Sequence, residues 1–215
     1  MRRLFDMDSP LMGFLMKVCD SLVLSLLWLL FSLPVITLGA SSSALYTAVL
    51  RCLRRDEAHL WPRFWEAFRE NFRRSTLCWL AILALLAMLT VDGVVFRYLL
   101  VRGDGLGNLY WLILVLMCIA VTWAAYVFAY CARCRGSVRD VLRISFQLMV
   151  LHPLRALGVL FPLLVAFMAS LIVPGILLLL PAPVCWCESV SFEAVLRLHM
   201  QPEDLEREIE NENKQ

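Results

Sequence analysis

The chain has 215 residues, of which 61% are hydrophobic, and it carries a formal net charge of +2. Its mean hydropathy of +0.74 lies outside the range of soluble globular domains. The small net charge gives no indication of a nucleic-acid partner. The composition therefore predicts an all-α polytopic membrane protein in contact with a lipid bilayer, because backbone polar groups inside lipid need internal hydrogen-bond partners.

Five apolar runs follow one another along the chain: residues 22–38, 76–95, 109–132, 156–174 and 175–184. About 20 apolar residues cross the roughly 30 Å hydrocarbon core as a helix, and the second and third runs reach that length. We interpret the first run as a retained helix rather than a removable signal peptide, because Asp6, Asp8 and Asp20 precede it. Residues 1–199 are predicted to form a single transmembrane domain. Residues 200–215 are predicted to form an acidic, disordered cytoplasmic tail.

The basic residues predict how the chain is threaded. Of the 20 lysines and arginines, only Arg97 and Arg102 lie near the connection between the second and third runs. The positive-inside rule places that connection outside and both termini in the cytoplasm. Seven arginines between residues 51 and 74 then also lie inside, so residues 22–53 must form a hairpin whose second arm, residues 40–53, is re-entrant or shielded. Arms at residues 156–173 and 176–196 complete about six membrane-embedded helices. The alternative is four full spans with the N-terminus outside.

Two polar segments predict amphipathic helices at the cytoplasmic interface, at residues 59–74 and 137–153. In the first, aromatic side chains recur at helical spacing with arginines between them. These seven residues are Trp61, Phe64, Trp65, Phe68, Arg69, Phe72 and Arg73. Such a helix lies in the headgroup layer and attracts anionic lipid. The alternative is a docking surface for a cytosolic partner such as an ATPase subunit.

Four polar residues fall inside or beside the apolar runs: Asp20, Ser41, Asp92 and Glu188. An ionisable group within lipid costs several kcal/mol unless it is paired or hydrated. Snorkelling, an interhelical pair or small-residue packing would explain each of them. The functional alternative is a polar lining for a sugar or proton path.

The cysteine pairs Cys131/Cys134 and Cys185/Cys187 do not predict a metal or redox site, because their spacings differ and cysteine in apolar runs behaves as a small hydrophobe. The sequence contains no phosphate-binding loop, zincin motif or serine-nucleophile elbow. We therefore expect no enzyme activity, no catalytic residues and no cofactor.

Four segments of the chain form a recognisable pattern: Asp8-Ser9-Pro10, the Ser-Leu-Pro-Val-Ile-Thr-Leu-Gly stretch at residues 32–39, Ala44-Leu45-Tyr46, and the Phe-Trp-Glu-Ala-Phe stretch at residues 64–68. Together they resemble the YesL family, small bacterial membrane proteins with a domain of unknown function. The resemblance covers about residues 5–195 and is most specific in the first 75. Ser25 departs from it, since the family is expected to have asparagine there.

The resemblance implies a multi-pass protein of the bacterial cytoplasmic membrane whose genes often neighbour carbohydrate ABC transporters and two-component regulators. Three hypotheses follow. The first is an accessory or permease-like component of a carbohydrate ABC transporter. The second is a self-contained small transporter that uses Asp92 or Glu188, and the third is a structural or signalling partner of a sensor kinase. The sequence leaves the oligomeric state open.

Overall fold

A computed structural model describes residues 10–54, 60–134, 136–173, 175–176 and 179–199. Seven helices make up this part of the chain: α1 Pro10–Ser32, α2 Leu38–Ala48, α3 Leu60–Val101, α4 Leu109–Arg133, α5 Val138–Leu151, α6 Pro153–Ile172 and α7 Pro181–His199. A π-helical turn, Val49–Arg54, extends α2, and 3-10 turns lie at Val35–Thr37 and Gly105–Asn108. The described residues contain no strand, which confirms the all-α class. The tail predicted at residues 200–215 lies outside them.

Five segments are long and apolar enough to cross a membrane: Leu15–Ser32, Val35–Cys52, Leu60–Val101, Gly105–Arg133 and Pro153–Ile172. They confirm a polytopic helical membrane protein, and the first two are the arms of the predicted hairpin. The predicted sixth arm corresponds to α7, which packs against α6 and α1. α7 is not among the five apolar segments, and it carries Glu188 and Glu193.

α3 is one uninterrupted helix of 42 residues, where two separate elements were expected from the sequence. At about 1.5 Å per residue it is roughly 63 Å long, about twice the thickness of the hydrocarbon core. The amphipathic segment predicted at residues 59–74 and the span predicted at residues 76–95 are therefore continuous. By contrast, α5 is a separate short helix near the predicted second amphipathic segment, and its buried residues are Val141, Ser145, Leu148 and Met149.

The short helix α2 lies at the centre of the fold, in contact with α1, α3, α4 and α7. Nine of its 11 residues are buried, and most of them are Gly, Ala, Ser or Thr. Small side chains allow helices to approach closely in a membrane. α2 and α3 approach closely at Gly39, where an added Cβ would lie 2.5 Å from Cβ of Trp79 and 2.7 Å from the carbonyl oxygen of Ser75.

Two regions of the molecule differ sharply in burial. The helices around α2, together with α3 up to Ile82 and α4 from Ala120 onward, form the packed region that we call the base. Residues 83–119, the distal hairpin, contain a single buried residue, Gly107, which packs against Leu100 at the turn. The α3 arm of this hairpin, residues 83–101, is about 28 Å long at 1.5 Å per residue, close to the thickness of the hydrocarbon core.

Candidate functional site

An exposed aromatic stack lies near the start of α3. The rings of Trp61 and Trp65 are parallel to within 5°, with centroids 6.4 Å apart. Their side chains remain 51% and 39% exposed. Phe31 of α1 packs against both, with ring centroids at 6.1 Å and 5.6 Å. These contacts hold two large apolar side chains in fixed positions at the protein surface.

The remaining residues of the predicted amphipathic segment divide between surface and interior. Arg69, Phe72 and Arg73 are exposed and continue the surface that begins at Trp61 and Trp65. We call these five residues the α3 face.

Phe64 and Phe68 lie beside the α3 face, and the ring of Phe68 stacks on that of Trp65 with centroids 5.8 Å apart. Both phenylalanines are buried, and their rings contact the ring of Phe31 at 5.7 Å and 5.1 Å. They are core residues, although their spacing in the sequence is the same as that of the exposed aromatics.

Arg74 does not belong to the α3 face. It is partly buried, and its guanidinium donates hydrogen bonds to Oδ1 of Asn71, at 2.7 Å, and to the backbone carbonyl of Cys131. These bonds connect α3 to the C-terminal end of α4. At least one of the seven arginines that predicted topology therefore has a structural role.

Glu188 is buried on the face of α7 that packs into the base. It shares this face with Phe192, whose ring centroid lies 4.5 Å from that of Tyr126 and 6.0 Å from that of Tyr46. Neither Oε1 of Glu188 nor the hydroxyl of Tyr126 has a hydrogen-bond partner among the described residues. Burial of this carboxyl oxygen without a hydrogen-bond partner disfavours the charged carboxylate.

Glu193, five residues further along α7, is in a different state. Nε of Arg133 donates to its Oε1 at 3.0 Å, and Nη2 donates to its Oε2. The two side chains are only 13% and 10% exposed. This bidentate pair neutralises Glu193 and ties the end of α4 to α7. Sequence analysis missed it, because the partners are 60 residues apart.

The other three predicted polar positions lie on α1, α2 and α3. Asp20 is half-buried on α1. Ser41 is buried and donates to the carbonyl of Leu38 in its own helix at 3.0 Å. Asp92 is half-buried in the distal hairpin. The apolar run ends at residue 95, but α3 continues to Val101, so Asp92 lies nine residues before the end of the helix.

Hydroxyl groups next to Ser41 connect helices. The hydroxyls of Ser43 and Ser75 are 3.0 Å apart, and the indole N–H of Trp28 donates to Oγ of Ser42 at 3.1 Å. In these contacts, serine hydroxyls link neighbouring helices, as small polar residues do between membrane helices.

Of the two cysteine pairs in the sequence, Cys185 and Cys187 are divided between the interior and the surface. Cys185 is buried and Cys187 is exposed, so the two side chains lie on different sides of α7. Cys131 lies with Cys78 of α3 in one buried cluster. Among the described residues, no group of three or more histidine, cysteine or acidic side chains is arranged to hold a metal ion.

Residues 22–93 match the model of the family described as "Protein of unknown function, DUF624". The match covers about a third of the chain and includes α1 from Leu22 onward, all of α2, and α3 as far as Gly93. The α3 face and the packed α2 crossing both lie within this DUF624 region, whereas Glu188 lies outside it. No curated protein and no solved structure matches the chain.

Proposed function

We propose that this protein is a non-enzymatic accessory or permease-like subunit that docks, through the α3 face, to a carbohydrate ABC transporter. The observation that supports docking is the exposed Trp61–Trp65 stack, fixed from behind by Phe31. The link to carbohydrate uptake and to a bacterial cytoplasmic membrane rests on the resemblance to the YesL family.

The α3 face has the chemistry of an interface anchor. Tryptophan and arginine dominate binding energy at protein interfaces, and rings that are already fixed lose little conformational entropy on binding. Arg69 and Arg73 add positive charge, which favours an acidic surface on the partner. The proposal requires the α3 face to lie in the cytoplasm, as the charge distribution predicts.

The test is co-purification from membranes of the double variant Trp61→Ala/Trp65→Ala. We expect it to lose the ATPase and permease subunits that the unaltered protein retains, with unchanged folding. Trp111→Ala is the matched control, since Trp111 is 63% exposed but lies in the distal hairpin. Retention of the transporter subunits by the double variant would contradict the proposal. In that case, the quenching of tryptophan fluorescence by brominated lipid is compared between the double variant and the unaltered protein. A difference would identify the rings of Trp61 and Trp65 as headgroup anchors.

A self-contained transporter is the second candidate, favoured by the unpartnered carboxyl oxygen of Glu188. It predicts sugar uptake into proteoliposomes that contain this protein alone, abolished by Glu188→Gln and unaffected by Glu66→Gln, which changes an exposed glutamate. A pull-down that returns only a sensor kinase would exclude both transport proposals and favour the signalling alternative.

A further inference from the structure

A groove with a volume of about 1020 Å³ runs between α3, α4 and α5. One part of its wall is apolar and belongs to the distal hairpin, where Leu85 and Leu89 of α3 face Leu116 and Ile119 of α4. The other part is formed by the first two turns of α5 and includes Arg139 and Arg143. The groove thus begins on helices long enough to span a membrane and ends at an amphipathic helix.

Trp123 fixes α5 against this groove. Its indole N–H donates to the carbonyl oxygen of Leu142 at 3.3 Å, and its ring meets that of Phe146 edge to face at 5.8 Å. Both aromatic residues also line the groove. The arginine end and the apolar wall are therefore held in a fixed relation to each other.

The two arginines are available for a ligand. Arg139 and Arg143 are four residues apart, so they lie on the same side of α5, and both are exposed. Neither forms an ion pair or hydrogen bond with another described residue. Adjacent guanidinium groups of this kind bind phosphate oxygens through charge-assisted hydrogen bonds.

We propose that this groove is a specific binding site for one anionic glycerophospholipid. Its acyl chains lie along the leucine wall, and its phosphate contacts Arg139 and Arg143. The groove is apolar along the membrane-spanning helices and cationic at α5. A lipid has the matching arrangement, with acyl chains at one end and an anionic phosphate at the other. A volume at the upper end of small-molecule sites accommodates more than a headgroup alone. The site uses none of the α3 face, so it is independent of the proposed docking function.

Native mass spectrometry of the delipidated full-length protein tests this site. Phosphatidylglycerol and phosphatidylcholine with identical acyl chains are titrated separately. We expect one phosphatidylglycerol to bind at concentrations where phosphatidylcholine does not. Arg139→Gln/Arg143→Gln should weaken this first binding step roughly tenfold or more. Leu116→Trp, which fills the apolar wall, should weaken it as well.

Two matched controls separate this site from general attraction to lipid. Arg97→Gln/Arg102→Gln removes two exposed arginines near the turn of the distal hairpin, and Val115→Trp enlarges an exposed side chain outside the groove. Both should bind the first phosphatidylglycerol as the unaltered protein does. Equal affinity for the two lipids, equal losses in the controls, or undiminished binding by Leu116→Trp would each overturn the proposal.

Discussion

In the base, α2 is enclosed by four other helices and carries small and hydroxyl side chains, whereas in the distal hairpin two strongly apolar helix segments contact little except each other. A soluble protein shows the reverse arrangement, with its most apolar segments at the centre. Lipid is as apolar as leucine, so burying leucine between membrane helices gains little, and close packing of small residues determines which helix is central. Two regions of one chain thus follow different rules of packing. Four pairs of substitutions test the packing of the base against less buried controls, two of them in the distal hairpin. Each is measured as the free energy of unfolding in mixed micelles with increasing SDS.

The largest effect is expected at the buried ion pair of the base. Arg133→Gln leaves Glu193 without its bidentate partner in a largely buried site, which should lower the free energy of unfolding by about 3–5 kcal/mol. Arg63→Gln is the control, because Arg63 and Glu66 are 3.5 Å apart with side chains 36% and 62% exposed. That pair should contribute less than about 1 kcal/mol. Similar losses in both variants would show that the base is far more hydrated than its burial indicates.

A smaller effect is expected from truncating one apolar side chain in each region. Ile82 is fully buried at the edge of the base, and Ile82→Ala should cost about 2–3 kcal/mol through the cavity it leaves. Met88→Ala removes a side chain that is 65% exposed in the distal hairpin, and it should change stability by less than about 0.5 kcal/mol. A large loss from Met88→Ala would mean that the hairpin packs against a second protein surface.

Glycine substitutions compare the two regions in the opposite sense, by adding a methyl group. Gly39→Ala introduces a Cβ in conflict with Trp79 and with the backbone of Ser75, which should cost about 1–3 kcal/mol. In Gly93→Ala the nearest atom is Cγ2 of Ile113 at 3.6 Å, an ordinary contact. Alanine also has the higher helix propensity there, so no loss is expected. Equal tolerance at both positions would contradict the tight α2–α3 crossing.

The smallest effect concerns single hydroxyl groups. Ser43→Ala removes the hydrogen bond between Ser43 and Ser75 and should cost about 0.6 kcal/mol, the average for such bonds inside membrane proteins. Ser170→Ala is the control, because that exposed hydroxyl donates only to the carbonyl of Phe167 in its own helix. A loss above about 2 kcal/mol from Ser43→Ala would indicate a cooperative polar network rather than one bond.

The parts of the fold that depend on neighbouring residues were predictable. The break between Pro34 and Gly39 indicated a hairpin, and the structure has a turn there, in which the hydroxyl of Thr37 donates to the carbonyl of Phe31 at 2.7 Å. Composition alone was enough for the helical membrane class, because lipid permits so few other structures.

The continuity of α3 was not predictable from the same patterns. After Arg74 the sequence changes from charged to apolar, but this change marks a difference in surroundings and does not require the helix to end. No proline follows Pro62, and the single glycine, Gly93, does not interrupt the helix. Polarity alone therefore could not distinguish one long helix from two.

The different states of Glu188 and Glu193 were also beyond sequence analysis. Both are buried acidic residues of α7, and they differ because Arg133 of α4 pairs with Glu193. The same holds for Phe64 and Trp65, adjacent aromatics of which one is core and the other surface. Whether such a residue is buried, exposed or paired depends on contacts between distant parts of the chain. A local sequence pattern does not record these contacts.

The uninterrupted α3 helix has a mechanical consequence. Trp65 and Asp92 are separated by roughly 40 Å at 1.5 Å per residue, yet the chain between them has no loop and no proline to absorb motion. A rotation of one end of α3 about the helix axis is therefore transmitted to the other end. Any partner that rotates the tryptophan end of α3 will therefore also turn Asp92 relative to the lipid around it.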